Sequence, residues 1–361
     1  MKKILVQLLT ISLVASTAVK AQDFSPSRQQ VLLNVLGKMP STPPVKYTTL
    51  ETVQLPEGKR YKIEYLAEKS DSTFNTPEDK IRAYLFIPNH RSQTKLPAIV
   101  AIHQDGPNFH LGKAEPAGLA GDKDQHYGYE LFKRGYIVIC PDRFYHAERR
   151  RIPPTDTALI DPKRDFDLLN HWSGQLLQKG RCTIGKEVYD LVVTTNILAS
   201  LSEVDTSRIG AIGHSAGGFA LVAFMFVDKR IKAGVSSCGF FELNNFYNEH
   251  APKRRPAAIA IPNLTTVGRS ADFLAFIAPR SVLLTRGLWE WGQDAEWKSF
   301  SEQHVAETKD LIRYAQPNYQ THQASTNLKA IYFDEEGGNH AFPPQVKEQA
   351  YQWLDSRLMI K

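Results

Sequence analysis

Three side chains in this sequence have the types and the order needed to turn a hydroxyl into a nucleophile: Ser215, Glu290 and His340. A serine hydroxyl does nothing at neutral pH until a neighbouring base takes its proton, and the base needs an acid to hold its ring. Ser215 stands in Gly213-His214-Ser215-Ala216-Gly217. A short apolar run, Ile209 to Ile212, precedes it, and a wholly apolar stretch, Phe219 to Val227, follows. Strand, sharp turn and helix in that order form the context in which G-x-S-x-G lifts a serine above a sheet. Side chains two residues either side of the serine would collide in so tight a turn, so glycine is required at 213 and 217.

The partners are expected after later strands, acid first and histidine last. Ser281 to Thr285 reads as a strand, and Arg286-Gly287-Leu288-Trp289-Glu290 follows it, with Asp294 as a rival acid to Glu290. Ala330 to Phe333 reads as a further strand. Glu335-Glu336-Gly337-Gly338-Asn339-His340 comes next, just ahead of the last helical pattern. An oxyanion needs N–H donors already in place. The amide of Ala216 is one candidate, and the amide of Asp105 or Gln104, after the run Ala98 to Ile102, is the other. His103, His110, His126, His146 and His214 read as packing or loop residues. They show no H-E-x-x-H or comparable spacing, so no metal is expected.

The elements that must position these groups follow from periodicity. Tyr61-Ile63-Tyr65 and Ile81-Ala83-Leu85-Ile87 alternate with polar or bulky neighbours, the mark of half-buried strands and of an antiparallel pair at a sheet edge. Beyond them the runs 98–102, 136–140, 209–212, 233–235, 282–284 and 330–333 are continuously apolar, as in a parallel sheet covered on both faces. Val188 to Ala199 and Val346 to Leu358 keep helical spacing. Strands alternating with helices imply an α/β fold, a doubly wound, mostly parallel sheet with antiparallel strands at its N-terminal edge. Two interruptions, 144–181 with Arg149-Arg150-Arg151 and 240–264 with Lys253-Arg254-Arg255, follow strand ends and are read as rim or lid segments.

Residues 1–21 have the layout of a secretory leader: Lys2-Lys3, an apolar core from Ile4 to Val14, and Val19-Lys20-Ala21 as a cleavage site. The apolar core is too short for a membrane span. The expected division is therefore a signal peptide at 1–21, an N-terminal extension at 22–57 and one catalytic domain at 58–361, in a secreted or periplasmic protein. Loss of the leader lowers the formal charge from +6 to +3. That mild balance, with no finger spacing or long basic run, argues against a nucleic-acid partner. Cys140, Cys182 and Cys238 are too few, and odd in number, for a disulfide scaffold.

Several separate motifs carry a resemblance over most of residues 80–358: H-Q-D-G, L-G-K-A-E-P-A-G-L-A-G, R-G-Y-I-V-I-C-P-D-R, R-I-G-A-I-G-H-S-A-G-G, I-A-P-R-S-V-L-L-T-R-G and G-G-N-H-A-F-P. The chain resembles the dienelactone-hydrolase and acetyl-xylan-esterase-like branch of the α/β-hydrolase superfamily, related to the catalytic domains of prolyl oligopeptidases. The resemblance implies Ser215 as nucleophile, His340 as base and an acid at the Glu290 slot. It departs from the pattern in having serine where dienelactone hydrolases have cysteine, and Glu where Asp is usual. An exported serine esterase without a cofactor is implied, acting on a small-molecule or polysaccharide ester. Trp289, Trp291 and Trp297 are candidates to stack on sugar rings, and Arg149 to meet a uronate carboxylate. A prolyl-oligopeptidase-type peptidase and a non-catalytic polysaccharide-binding relic are the alternatives.

Overall fold

The computed structural model describes residues 22–89, 94–105, 109–152, 160–246, 257–334 and 340–359. The leader, the Pro153-Pro154 loop, the Lys253-Arg254-Arg255 run and the glycine-rich stretch before His340 lie outside the described residues.

Among the described residues the strands are β1 (Thr48–Leu55), β2 (Gly58–Glu68), β3 (Asp79–Pro88), β4 (Leu96–Ile102), β5 (Ile137–Pro141), β6 (Val204–His214), β7 (Ile231–Ser237), β8 (Ser281–Gly287) and β9 (Leu328–Phe333). They form one sheet in the order β1-β2-β3-β5-β4-β6-β7-β8-β9. Pairing is antiparallel from β1 through β3 to β5 and parallel from β5 to β9. The helices are α1 (Pro26–Val35), α2 (Tyr127–Lys133), α3 (Pro162–Gln178), α4 (Thr183–Ala199), α5 (Ala216–Val227), α6 (Leu243–Phe246), α7 (Leu264–Val267), α8 (Ser270–Ala275), α9 (Ala295–Thr321) and α10 (Pro344–Leu358).

The continuously apolar runs have a direct physical cause. Along β4, Ala98, Val100 and Ile102 join one core, with α4, α5 and α8, while Ile99 and Ala101 join the other, with α2 and α10. β5 divides the same way, Ile137 and Ile139 on one side and Val138 and Cys140 on the other. Every position faces a helix layer, so no position is left for a polar residue. Each large aliphatic chain buried there contributes about 1.5–3 kcal/mol. Among the described residues no helix is long and apolar enough to cross a membrane.

Three elements add to the expectation. The N-terminal extension at 22–57 packs on the sheet: β1 pairs with β2 along its length, and Leu32 and Leu36 sit in the main core. A Cβ at Gly185 would stand 1.8 Å from the Leu36 carbonyl oxygen, so this segment lies directly on α4. The 144–181 interruption contains α3, whose Leu169 and Leu176 bury a small third core with Phe109 and Phe144. The long α9 follows the Glu290 loop. All three cysteines are buried and free.

Candidate active site

The turn at Ser215 is strained in the way a nucleophile elbow requires. Ser215 has φ +53° and ψ −127°, a conformation costly for any residue with a Cβ, and it directly precedes α5. Two features hold it there. The Ser215 N–H donates to the Ser237 carbonyl at 2.8 Å, tying the turn to the end of β7. A Cβ at Gly213 would approach the Gly217 carbonyl oxygen to 2.5 Å. One at Gly217 would approach the Ile102 and His103 carbonyl oxygens to 2.4 Å. The sequence argument for glycine at both positions holds for this backbone reason.

Glu290 follows β8 and is fully buried, with Oε1 accepting from His340 Nδ1 at 2.6 Å and Oε2 accepting from Arg286 Nη1 at 2.6 Å. Burial alone would raise its pKa. The Arg286 guanidinium and the His340 ring outweigh that and hold the carboxyl well below its ordinary range. Arg286 is itself secured by Phe240 O at 2.6 Å and Thr308 Oγ1 at 3.1 Å. Its place in the apolar strand Ser281–Gly287 was the one available signal of this role, a charge where only apolar residues are expected.

Two aromatic rings flank the His340 ring. Trp291 stacks on it at 5.2 Å between centroids, and His214 lies at 4.7 Å. His214 is wholly buried, and burial first, then His340, push its pKa far down, so it adds no second charge. With Nδ1 committed to Glu290, His340 Nε2 has no hydrogen-bond partner among the described residues. Ser215 Oγ and Nε2 are not hydrogen-bonded here, although both residues line one cavity of about 380 Å³.

That cavity gathers most of the residues named from sequence: Ser215, Ala216, Gln104, Asp105, Glu290, Trp291 and His340. Four others lie elsewhere. Asp294 caps the N-terminus of α9, accepting from Trp297 N at 3.1 Å, and plays no part around His340. Trp289 sits beneath Lys298, and Trp297 lies edge-on to Phe300, both outside the cavity lining. Arg149 is a correction. It is buried and bonded to Asp79 at 2.6 Å, Asp190 at 2.8 Å and the Asp142 carbonyl at 2.9 Å, so no guanidinium N–H is turned to the cavity. A larger groove of about 720 Å³ between residues 38–44 and α3 contains none of the predicted site residues.

Sequence reasoning missed the opposite wall of the cavity. Arg143, just beyond β5, is buried and bonds Asp105 and, at 2.7 Å, Glu187 of α4. His146 stacks on Phe109 at 4.6 Å and reaches Asp105 at 3.2 Å. Phe166 and Leu169 of α3, with Ala258 and Ile259, complete an apolar rim, so parts of both interruptions do line the site.

Cys238 Sγ, the Glu290 carboxylate and the His340 ring lie within 4.8 Å of one another, a spacing that could hold a cation. The donor set fits one poorly. Burial pushes the Cys238 thiol well up, and both Glu290 oxygens already accept charged or polar donors, one from Arg286. A metal would face that guanidinium.

Comparison with known proteins agrees with this architecture. The prolyl oligopeptidase family matches residues 177–258. A Bacillus subtilis protein named "Putative hydrolase YtaP" is 23% identical over 304 residues, 81% of this chain and 94% of its own. A Bacteroides fragilis structure described as a "putative acetyl xylan esterase" superposes with TM-score 0.65 at 18% identity, over 85% of this chain and 74% of that one. A glucuronoyl esterase from Solibacter usitatus superposes with TM-score 0.62 at 14% identity, over 92% of both chains. At such identities the structural likeness speaks for the fold. The sheet order, the antiparallel edge and the helices on both faces are those of the α/β-hydrolase fold.

Proposed function

We propose that this protein is a serine hydrolase of carboxylic esters, with Ser215 as nucleophile, His340 as base and Glu290 as orienting acid. The observation that carries the reading is the Glu290–His340 bond at 2.6 Å, which commits Nδ1 and leaves Nε2 unpartnered in the wall of the cavity that holds Ser215. In an empty site the nucleophile–base bond is often long and tightens when substrate binds.

The chemistry then follows from the groups present. His340 Nε2 takes the Ser215 hydroxyl proton as Oγ attacks the ester carbonyl, and the Glu290 carboxylate stabilises the imidazolium that forms. The carbonyl oxygen becomes an oxyanion facing the Ala216 amide, at the N-terminus of α5, and an amide of Asp105 or Gln104. The imidazolium returns its proton to the departing alcohol. An acyl-serine remains, and water deprotonated by His340 attacks it and releases the acid. The names of the fold relatives, an acetyl xylan esterase and a glucuronoyl esterase, support a carbohydrate ester as substrate. Export by the leader at residues 1–21 belongs to the same proposal.

The test is hydrolysis of p-nitrophenyl acetate by Ser215→Ala. Loss of about 10⁶-fold in kcat is expected, and turnover near the wild-type rate overturns the reading. The match of residues 177–258 to the prolyl oligopeptidase family favours one alternative, a peptidase. Cleavage of a prolyl chromogenic amide with esters left intact would establish it.

A further inference from the structure

His103, a packing residue by its sequence context, has both ring nitrogens committed in a way that bears on the oxyanion. Its Nε2 accepts from the Arg143 backbone N–H at 2.9 Å. Its Nδ1 lies 2.7 Å from the Gln104 carbonyl oxygen, which can only accept, so the ring proton sits on Nδ1. Burial first, then His146 and Arg143, push the pKa of the ring far down, which keeps it in this neutral form.

Two successive peptides after β4 are therefore fixed in direction. β4 runs parallel to β6 with Ile102 opposite Gly213, so the residues after Ile102 leave the sheet level with the elbow. The His103 carbonyl oxygen would stand 2.4 Å from a Cβ on Gly217, so it faces the elbow. Carbonyl and N–H point in opposite directions across a trans peptide, and the Gln104 N–H is thus turned away from the elbow. At the next peptide the Gln104 carbonyl is turned to the His103 ring, which is 1% exposed and no part of the cavity lining. The Asp105 N–H points away from that ring. Asp105 lines the cavity with Ser215 and Ala216. Its carboxylate is held by Arg143, with His146 3.2 Å away, while its N–H has no hydrogen-bond partner among the described residues.

We propose, on the basis of the esterase reading, that His103 is a positioning residue: its ring holds the Gln104–Asp105 peptide so that the Asp105 amide, and not the Gln104 amide, meets the oxyanion. A donor held in place before charge develops costs no reorganisation when the carbonyl oxygen becomes negative. The Arg143 N–H fixes the ring, the ring fixes the Gln104 carbonyl, and the Asp105 N–H is the one polar group of that peptide left for the substrate. His103 touches no reacting atom; the bond-making steps remain with Ser215 and His340.

The experiment separates the two bonds of the ring. In His103→Asn the side-chain amide can put an N–H where Nδ1 was, and in His103→Gln the longer side chain can put an acceptor where Nε2 was. His103→Gln therefore keeps the tie to Arg143 and frees the Gln104 carbonyl. On p-nitrophenyl acetate its kcat should fall about 10²-fold with KM within about threefold of the wild type, as for a lost oxyanion donor. His103→Asn should recover about tenfold of that loss. Equal losses in the two variants, or a change in KM alone, would mark the ring as purely structural and overturn the proposal. A wild-type crystal soaked with phenylboronic acid, whose tetrahedral adduct on Ser215 mimics the oxyanion, decides the matter even if neither variant folds. A boron-bound oxygen about 3 Å from the Asp105 nitrogen is expected, and one bonded to the Gln104 nitrogen, or to neither, overturns the proposal. Turnover of p-nitrophenyl acetate by Ser215→Ala at the wild-type rate would remove the esterase reading itself, an outcome distinct from all of these.

Discussion

Two buried arginines stand on opposite sides of Ser215, and they are used differently. Arg286 gives each side-chain nitrogen a partner: Thr308, Glu290 and the Phe240 carbonyl. Its partner Glu290 has both oxygens engaged, one of them by the His340 ring. Arg143 is bonded to Asp105, Glu187 and the His103 carbonyl, yet its Nε and one oxygen of Glu187 are buried without a hydrogen bond among the described residues. Arg149, farther from the cavity, resembles Arg286, with Asp79, Asp190 and the Asp142 carbonyl taking up its N–H groups. A buried charge cluster that is complete holds its members still. One left incomplete keeps a desolvation cost that its own hydrogen bonds do not offset.

The contrast can be broken in several ways. The largest expected effect is on the complete side. Glu290→Gln should lower kcat by about 10³–10⁴-fold, because an amide neither selects the working His340 tautomer nor stabilises the imidazolium. If kcat stayed within about tenfold of the wild type, the complete cluster would not serve His340 and the distinction would fail.

Arg286→Met should cost about 3–5 kcal/mol of stability, read by chemical denaturation, because it strands a buried carboxylate. A change below about 1 kcal/mol would mean that the Glu290 pair is not desolvated as the structure shows.

Acid sensitivity follows from the same pair. The folded Glu290 pKa lies below the unfolded value, so its stabilisation is complete above about pH 4.3 and is lost as pH falls toward the lower folded value. Below about pH 4 the wild type should therefore lose Tm faster than Glu290→Gln; parallel curves would contradict the depressed value.

The smallest effect is expected at Asp294. Removing this helix cap by Asp294→Ala should cost about 1 kcal/mol of stability and leave kcat in place. A collapse of kcat would return it to contention as the acid.

What could be read from the sequence was what repeats or what sits at a forced geometry. The runs at 98–102 and 209–212 announce strands covered on both faces, and Gly213 and Gly217 announce the turn between them. β1 was not legible because residues 48–52 are exposed throughout and offer no alternation. α3 was masked by Pro162 and the arginine cluster before it, which read as a loop although proline suits the first turn of a helix. Trp289 and Arg149 lie outside the cavity lining for a related reason. Residue type says what a side chain can bind, whereas Asp79 and Asp190, distant in sequence, determine what Arg149 does bind. Glu187 gave no signal in its helix because its partner Arg143 is distant in sequence.

The 2.4 Å approach of a Gly217 Cβ to two carbonyl oxygens at the end of β4 has an evolutionary corollary. Elbow and strand end form one piece without slack, so no substitution there can resize the cavity without dislodging Ser215. New specificity must come from the rim, where Phe166, Leu169, Ala258 and Ile259 belong to segments inserted between sheet strands. Those segments can be exchanged like interchangeable heads on a fixed tool.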